Sequence, residues 1–239
     1  MQSGFRQGHS TITAVTSVTT DIITALDNKK SCAALFIDLS KAFDTVDHHL
    51  LLQRLKSIGF SHTVLNWFSN YLSGRTQCVA VDNFISPLLV VIMGVPHGSV
   101  LGPVLFSIYI NNLGLDLIPS KVHFYADDTI LYTSASSLLE AVSYLQSAFN
   151  QVQKSLVGLK LVLNAKKTKF MVFTRSHLLS EYTILTENGA PIERVSSYKY
   201  LGIWLDDKLS FGVHIESLLK KFRPKLGSHA LVCTHENVA

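Results

Sequence analysis

The sequence predicts an α+β protein with a mostly antiparallel sheet and helices packed behind it, and three observations carry that prediction. Short apolar runs bounded by Gly, Pro, Asn and Asp recur along the chain, the mark of buried strands joined by tight turns. Leu138, Val142, Leu145, Phe149, Val152 and Leu156 recur at steps of three and four, the period of a helix with one buried stripe. The chain has 239 residues, 47% hydrophobic and 16% charged, enough apolar material for one good core or two subdomains sharing a cleft.

The elements follow in order. Residues 1–30 open with a glycine-containing polar loop and a Thr/Ile/Val/Leu segment that fits helix and strand equally. Residues 32–39 form an apolar run with an acid near its end, which reads as a buried strand. Asp47 can cap a helix to about Ile58, with Leu51, Leu55 and Ile58 on one stripe and Gly59 as the stop. A second helix is expected over 63–72, ended near Gly74. Strands are expected at 77–81 and 88–93 around an Asp82-Asn83 turn. Gly102 or Pro103 then opens a buried helix to Leu113. The runs 122–125 and 130–133 flank Asp127-Asp128 as a tight hairpin, and the long helix spans 138–156. Strands are expected at 170–174 and 199–205, with Asn188-Gly189 as a hairpin turn between them, and a last basic helix from near His214 carries Lys220, Lys221, Arg223 and Lys225.

Bulk properties exclude little by themselves. The excess of 21 Lys+Arg over 17 Asp+Glu suits a polyanionic partner without requiring one. Cys32, Cys78 and Cys233 lie far apart, with no CxxC spacing, which argues against a disulfide framework or a zinc site and for a reducing compartment. The N-terminus has no apolar signal region, and the apolar stretches 87–96 and 100–110 fall short of the roughly 20 residues a span needs. The sequence reads as soluble and intracellular, with no membrane partner, and it does not separate cytoplasm from nucleus.

Three acids stand out because they sit in apolar runs. Asp38 ends Ala33-Ala34-Leu35-Phe36-Ile37-Asp38-Leu39, and Asp127 and Asp128 interrupt His123-Phe124-Tyr125-Ala126-Asp127-Asp128-Thr129-Ile130-Leu131. A carboxylate there is costly unless a charge neutralises it. A hard divalent cation such as Mg²⁺ does so with oxygen ligands, and a pair of them can clamp both oxygens of a phosphoryl transfer. Taken alone, Asp127-Asp128 reads as a turn before it reads as a metal site, and Asp38 alone is compatible with a strand-end helix cap. Asp44 and Asp47 read as local caps or surface acids.

Together these segments resemble a known family. Phe36-Ile37-Asp38-Leu39-Ser40-Lys41-Ala42-Phe43-Asp44 resembles motif A of reverse transcriptases, and Gly94-Val95-Pro96-His97-Gly98-Ser99-Val100-Leu101-Gly102-Pro103 their motif B. Tyr125-Ala126-Asp127-Asp128 matches the YxDD box of motif C. Leu163-Asn164-Ala165-Lys166-Lys167-Thr168-Lys169 resembles motif D, and Tyr200-Leu201-Gly202 the motif after it. The opening Gln2-Ser3-Gly4-Phe5-Arg6-Gln7-Gly8-His9-Ser10-Thr11 is similar to a fingers segment of non-LTR (LINE-type) retrotransposons.

The resemblance implies a right-hand polymerase palm with partial fingers, acting as an RNA-directed DNA polymerase on an RNA template, a DNA primer and dNTPs. It implies a reverse transcriptase domain over 1–227, with fingers at about 1–30 and 47–92, palm at about 31–46 and 93–205, a thumb vestige at 206–227, and 228–239 unassigned. Asp38 and Asp127 would bind two Mg²⁺ ions, or Mn²⁺ in their place, with Asp128 completing the cluster and the Leu39 carbonyl assisting. Phe43 matches the aromatic gate against a 2′-hydroxyl, with an ordinary core position after a strand as the lesser alternative. Lys167 matches a general acid for the leaving pyrophosphate, and equally suits a solvated basic turn beside Lys166 and Lys169. His97 and Gly98 would meet the nucleotide. The Gly/Pro/Ser loop suits close backbone approach and a helix N-terminus facing a phosphate, or simply a tight connection. Arg6, Arg75 and the last helix would meet template and primer phosphates.

His97 stands where the family usually has Gln, and Asn112 where related elements often have Asp; Gly114-Leu115 also departs from the pattern. The resemblance further implies a partial copy, without upstream fingers or endonuclease and with little thumb. A catalytically inactive, nucleic-acid-binding remnant is the alternative it leaves open.

Overall fold

The computed structural model describes residues 3, 4, 6, 8–113, 117–175 and 182–233, with side chains in the last helix up to Arg223. Gly114-Leu115, the side chain of Lys225 and residues 234–239 lie outside the described residues.

The scaffold is a six-stranded sheet built around strand β1 (Ser31–Ile37), every residue of which is buried. β1 pairs antiparallel with β7 (Asp128–Ala135) on one side and β8 (Lys169–Phe173) on the other. Beyond β7 lies β6 (Lys121–Tyr125), its hairpin partner. Beyond β8 come β10 (Pro191–Arg194) and β9 (Ile184–Leu185), with β10 parallel to β8. This is why 32–39 reads as one continuous apolar run: a strand with neighbours on both edges and cover on both faces has no wet side.

The pleat divides β1 between two cores. Ala33, Leu35 and Ile37 face one core, with Phe170, Val172 and the stripe of α5 (Leu138–Gly158). Cys32, Ala34 and Phe36 face the other, with Met171, Phe173 and α1 (Thr11–Asp27). The ambiguous N-terminal segment is therefore a helix, started by a capping box in which Ser10 accepts from the Thr13 amide and Thr13 from the Ser10 amide. Helices cover both faces of the sheet, not one.

Asp47 caps α2 (His48–Ser57) by accepting from the Leu50 amide, and α3 (His62–Leu72) follows. Leu51 and Leu55 are fully buried, but Ile58 lies past the helix end and is 54% exposed, so it does not extend the stripe. α4 (Leu101–Ile110) packs behind α2.

Three segments differ from their sequence reading. The strands expected at 77–81 and 88–93 are four two-residue strands: β2 (Thr76–Gln77) pairs with β5 (Leu89–Val90), and β3 (Ala80–Val81) with β4 (Phe84–Ile85). The Asp82-Asn83 turn is present, with Asp82 at φ +52°. The strand expected at 199–205 folds back as a hairpin of β11 (Ser197–Tyr200) and β12 (Ile203–Asp206), because Leu201 and Gly202 both take positive φ. Asn188-Gly189 therefore closes the β9–β10 hairpin and not a connection from β8 to 199–205. The last helix, α6, runs Gly212–Cys233. No helix among the described residues is long and apolar enough to cross a membrane.

Candidate active site

The register of β1 against β7 brings two of the three acids face to face. Phe36 pairs with Ile130 and Ile37 with Thr129, so one more step places Asp38 opposite Asp128. Both side chains share the parity of Phe36 and Ile130, which puts them on the face covered by the β11–β12 hairpin. Asp127 sits in the two-residue turn between β6 and β7, beside Ala126 at φ +57°, a left-handed conformation that is strained for a residue with a Cβ. Acids separated by about ninety positions in the chain thus meet at one end of two adjacent strands.

Their electrostatics match that placement. Asp128 touches solvent, yet the surrounding protein removes part of its hydration. Its carboxyl is pushed up to about 6, first by that desolvation and then by the charges of Asp127 and Asp38. Burial and the charges of Asp128 and Asp38 also raise the phenol of Tyr198, which stacks on Phe36 at 4.3 Å between ring centroids. Among the described residues, no three His, Cys, Asp or Glu side chains close on one point as a finished ion cage. The donor set still fits a hard divalent cation, since Mg²⁺ needs one or two carboxylates and takes the rest of its shell from water and phosphate.

The segment after α5 braces this corner. Leu39 bridges Leu163, and the bonds of that bridge are made by the flanking Ser40 amide to Val162 and the Asn164 amide to Asp38. The Leu39 carbonyl therefore stays out of the bridge. Lys167 lies in the adjoining turn, its amide donating to Asn164, and its side chain is exposed. Lys169 is taken up by Glu193 at 2.5 Å and by the Lys166 carbonyl at 2.7 Å.

Phe43 and His97 come together beside a cleft of about 550 Å³, lined by Lys41, Asp44, Arg75 and the 90–97 segment. Phe43 stacks on the buried Phe106 at 4.3 Å, so it is packed on one side and half-exposed on the other. His97 Nε2 meets Asp44 Oδ1 at 2.5 Å, so the acid set aside as a cap or surface group holds the ring. Gly94, at φ +88°, is where close backbone approach occurs. A Cβ there would lie 2.8 Å from the Asp44 carbonyl oxygen, while Gly98 has open space around it. The Gly102 amide is already bonded to Ser99 Oγ at 2.8 Å, so that end of α4 is capped from within and does not offer this amide to a phosphate. None of the three acids lines the cleft.

Arg6 lies elsewhere, in a cavity of about 300 Å³ with Arg54, Ser107 and Asn112, whereas Arg75 lines the His97 cleft. Lys220, Lys221 and Arg223 are exposed on α6. Sequence reasoning missed Tyr198 and Thr168. The first lies between two of the motifs, and the second sits inside motif D as a buried threonine whose role its residue type does not reveal.

Known proteins resemble this chain in sequence and in fold. Residues 1–205 match the family described as reverse transcriptase (RNA-dependent DNA polymerase). The chain is 35% identical over 230 residues to a probable RNA-directed DNA polymerase from transposon BS of Drosophila melanogaster, covering 92% of this chain and 25% of that protein. It is 33% identical over 232 residues to the RNA-directed DNA polymerase from mobile element jockey of the same fly, covering 94% and 25%. The chain thus spans about a quarter of the length of these relatives. Among solved structures, apo telomerase from Candida tropicalis truncated from its C-terminal domain aligns with a TM-score of 0.57 at 13% identity, covering 87% of this chain and 40% of that one. A telomerase of the same yeast in complex with a fragment of telomeric RNA aligns with a TM-score of 0.51 at 14% identity, covering 76% and 33%. At such identity the likeness concerns the fold alone.

Proposed function

The chain belongs to the reverse transcriptase family, and from that premise we propose that it is the core of a non-LTR retrotransposon RNA-directed DNA polymerase, extending a DNA primer on an RNA template. The observation that carries the reading is the meeting of Asp38, Asp127 and Asp128 at one end of β1 and β7. In the reaction the primer 3′-hydroxyl loses its proton and bonds to the α-phosphorus of a dNTP, while the bond to pyrophosphate breaks.

Asp38 and Asp127, with Asp128 and the Leu39 carbonyl, would hold two Mg²⁺ ions, or Mn²⁺, which when bound neutralise phosphate charge and favour ionisation of the hydroxyl. The rest is positioning. The exposed Lys167 ammonium is the group that can give a proton to the departing pyrophosphate. Phe43, fixed by its stack on Phe106, offers a rigid edge against a 2′-hydroxyl. His97, held by Asp44, lines the cleft, and it and the adjoining Gly98 would meet the base and sugar.

The test is primer extension on poly(rA)/oligo(dT) with Mg²⁺ and dTTP, beside Asp38→Ala and Asp127→Ala. Extension by the parent and loss in both variants, by at least a hundredfold, is the expected result. Equal extension by either variant would remove the assignment of the acids. Salt-sensitive binding of primer–template with no extension by folded parent would make the chain a binding remnant.

A further inference from the structure

We propose that Thr168 is a positioning residue for Asp38, its hydroxyl fixing the peptide from which the Asp38 carboxylate projects. The inference rests on the assignment of Asp38 as a metal ligand. Thr168 is fully buried, and its Oγ1 accepts from the Asp38 amide at 3.2 Å. The Asp38 carbonyl accepts from the Asn164 amide at 2.9 Å, and the Thr168 amide donates to the Asn164 carbonyl, also at 2.9 Å. One closed turn therefore grips both ends of the Asp38 residue.

A hydroxyl is needed there because the ladder breaks at this point. β1 and β8 pair as far as Phe36 with Lys169, and the next bridge joins Leu39 to Leu163. The chain thus advances three residues on one strand against six on the other. The excess is thrown out as the turn carrying Lys166 and Lys167, and no main-chain carbonyl remains for the Asp38 amide. The threonine side chain supplies the missing acceptor, as side-chain oxygens do at helix caps. A valine of the same shape would fill the space and leave the amide buried without a partner.

The grip matters because Asp38 faces Asp128 across the strand pair. Like charges directly opposite one another push apart. Without the Thr168 bond the end of β1 can relax away from β7, taking one metal ligand from the other two. The same turn carries Lys167, so its release would loosen the second group as well.

The experiment uses the full chain and compares Thr168→Val with Thr168→Ser, which keeps the acceptor. A control is Thr133→Val, another buried threonine, whose hydroxyl has no hydrogen-bond partner. Two quantities are measured: Mn²⁺ binding by electron paramagnetic resonance on the protein alone, and kcat and KM for dTTP in primer extension. Thr168→Val is expected to weaken Mn²⁺ binding at least fivefold and lower kcat at least tenfold, with KM within twofold. Thr168→Ser should stay within threefold of the parent, and Thr133→Val should match it. Parental Mn²⁺ binding and kcat in folded Thr168→Val overturns the proposal, as does a serine variant as damaged as the valine one. Weakened Mn²⁺ binding in a protein that never extends a primer supports the positioning role while removing the polymerase reading. A parent that binds no Mn²⁺ removes both. Should Thr168→Val not fold, Thr168→Cys, with a weak acceptor of similar size, is read the same way.

Discussion

The central sheet and the β2–β5 ribbon are made of the same kinds of residue and end in opposite environments. In β1, Ala33, Ala34 and Leu35 are each 0% exposed, whereas Phe84 and Ile85 of the ribbon are 83% and 73% exposed. Every strand residue of the ribbon is exposed. The difference is topology. β1 has a neighbour on each edge and a packed layer on each face, and the ribbon has only its own partner strand. Two short strands cannot bury apolar side chains on their own. Apolar sequence therefore predicts burial only where the fold supplies a second surface, and the acids are fixed in place because they sit at the end of the region that has one.

That contrast can be broken most severely from inside the sheet. Phe170 pairs with Leu35 and is fully buried in the core beneath α5. Phe170→Ala is expected to cost about 3–5 kcal/mol in a urea melt, because it leaves a cavity that neighbouring strands cannot close. A loss below about 1 kcal/mol would mean the sheet core is far looser than its burial indicates. Next in size is Gly94→Ala, where the sheet's loop and the ribbon meet. A Cβ would press on the Asp44 backbone at 2.8–3.0 Å from a residue at φ +88°. About 2–3 kcal/mol of destabilisation is expected from strain and displacement, together with a loss of primer extension larger than the loss of folded protein. Full activity in this variant would show that the link between the 38–47 loop and the 94–99 loop does not position the site.

Much of the sheet and the acid cluster was legible in the sequence. Charges inside apolar runs stand out without knowing what surrounds them, and the α5 stripe repeats often enough to be unmistakable. The segments that were not legible depended on contacts or angles that a pattern does not carry. α1 is rich in Thr, Ile and Val, which suit strands, and its capping box uses Thr13 where Glu or Gln is the usual signal. The turn from β11 to β12 needs Leu201 at φ +47°, a conformation that leucine rarely adopts. The pairing of His97 with Asp44 joins residues 53 positions apart, and the Thr168 bond depends on a shift of ladder register visible only once both strands are placed.

A smaller effect separates the functional end of the sheet from its core. Opposed acids should cost stability where Leu35 and Phe170 supply it. Asp128 is raised from 3.8 to about 6, so its folded form holds a proton that the unfolded chain has already released. The penalty on the folded state therefore grows as pH rises from about 4 to about 6, is complete above that, and vanishes below about pH 4. At full strength the rise corresponds to about 3 kcal/mol. Asp128 touches water, which screens the interaction, so about 1 kcal/mol is the expected size. Asp128→Asn should raise the melting temperature by about 2–4 °C at pH 7.5 in EDTA, with the gain fading by pH 4.5. Added Mg²⁺ should raise the parent more than the variant, which keeps Asp38 and Asp127 but lacks the third carboxylate. A gain that persists unchanged at pH 4.5 would show that the charge is not its cause.

The smallest effect belongs to the ribbon, and it is the sharpest test of the comparison. Phe84→Ser and Ile85→Thr replace two of its most exposed apolar side chains next to the Asp82-Asn83 turn. If nothing covers the ribbon in the isolated chain, each change should alter stability by no more than about 0.5 kcal/mol. Reduced self-association in sedimentation velocity should accompany it, because exposed apolar strand edges promote pairing between molecules. The same chemical change at Leu35 would remove a buried contact and belong with Phe170→Ala. A loss above about 1 kcal/mol at Phe84 would place the ribbon with the sheet, as a surface covered in solution. Topology would then have misjudged it, and the difference between the two regions would be one of partner, not of packing.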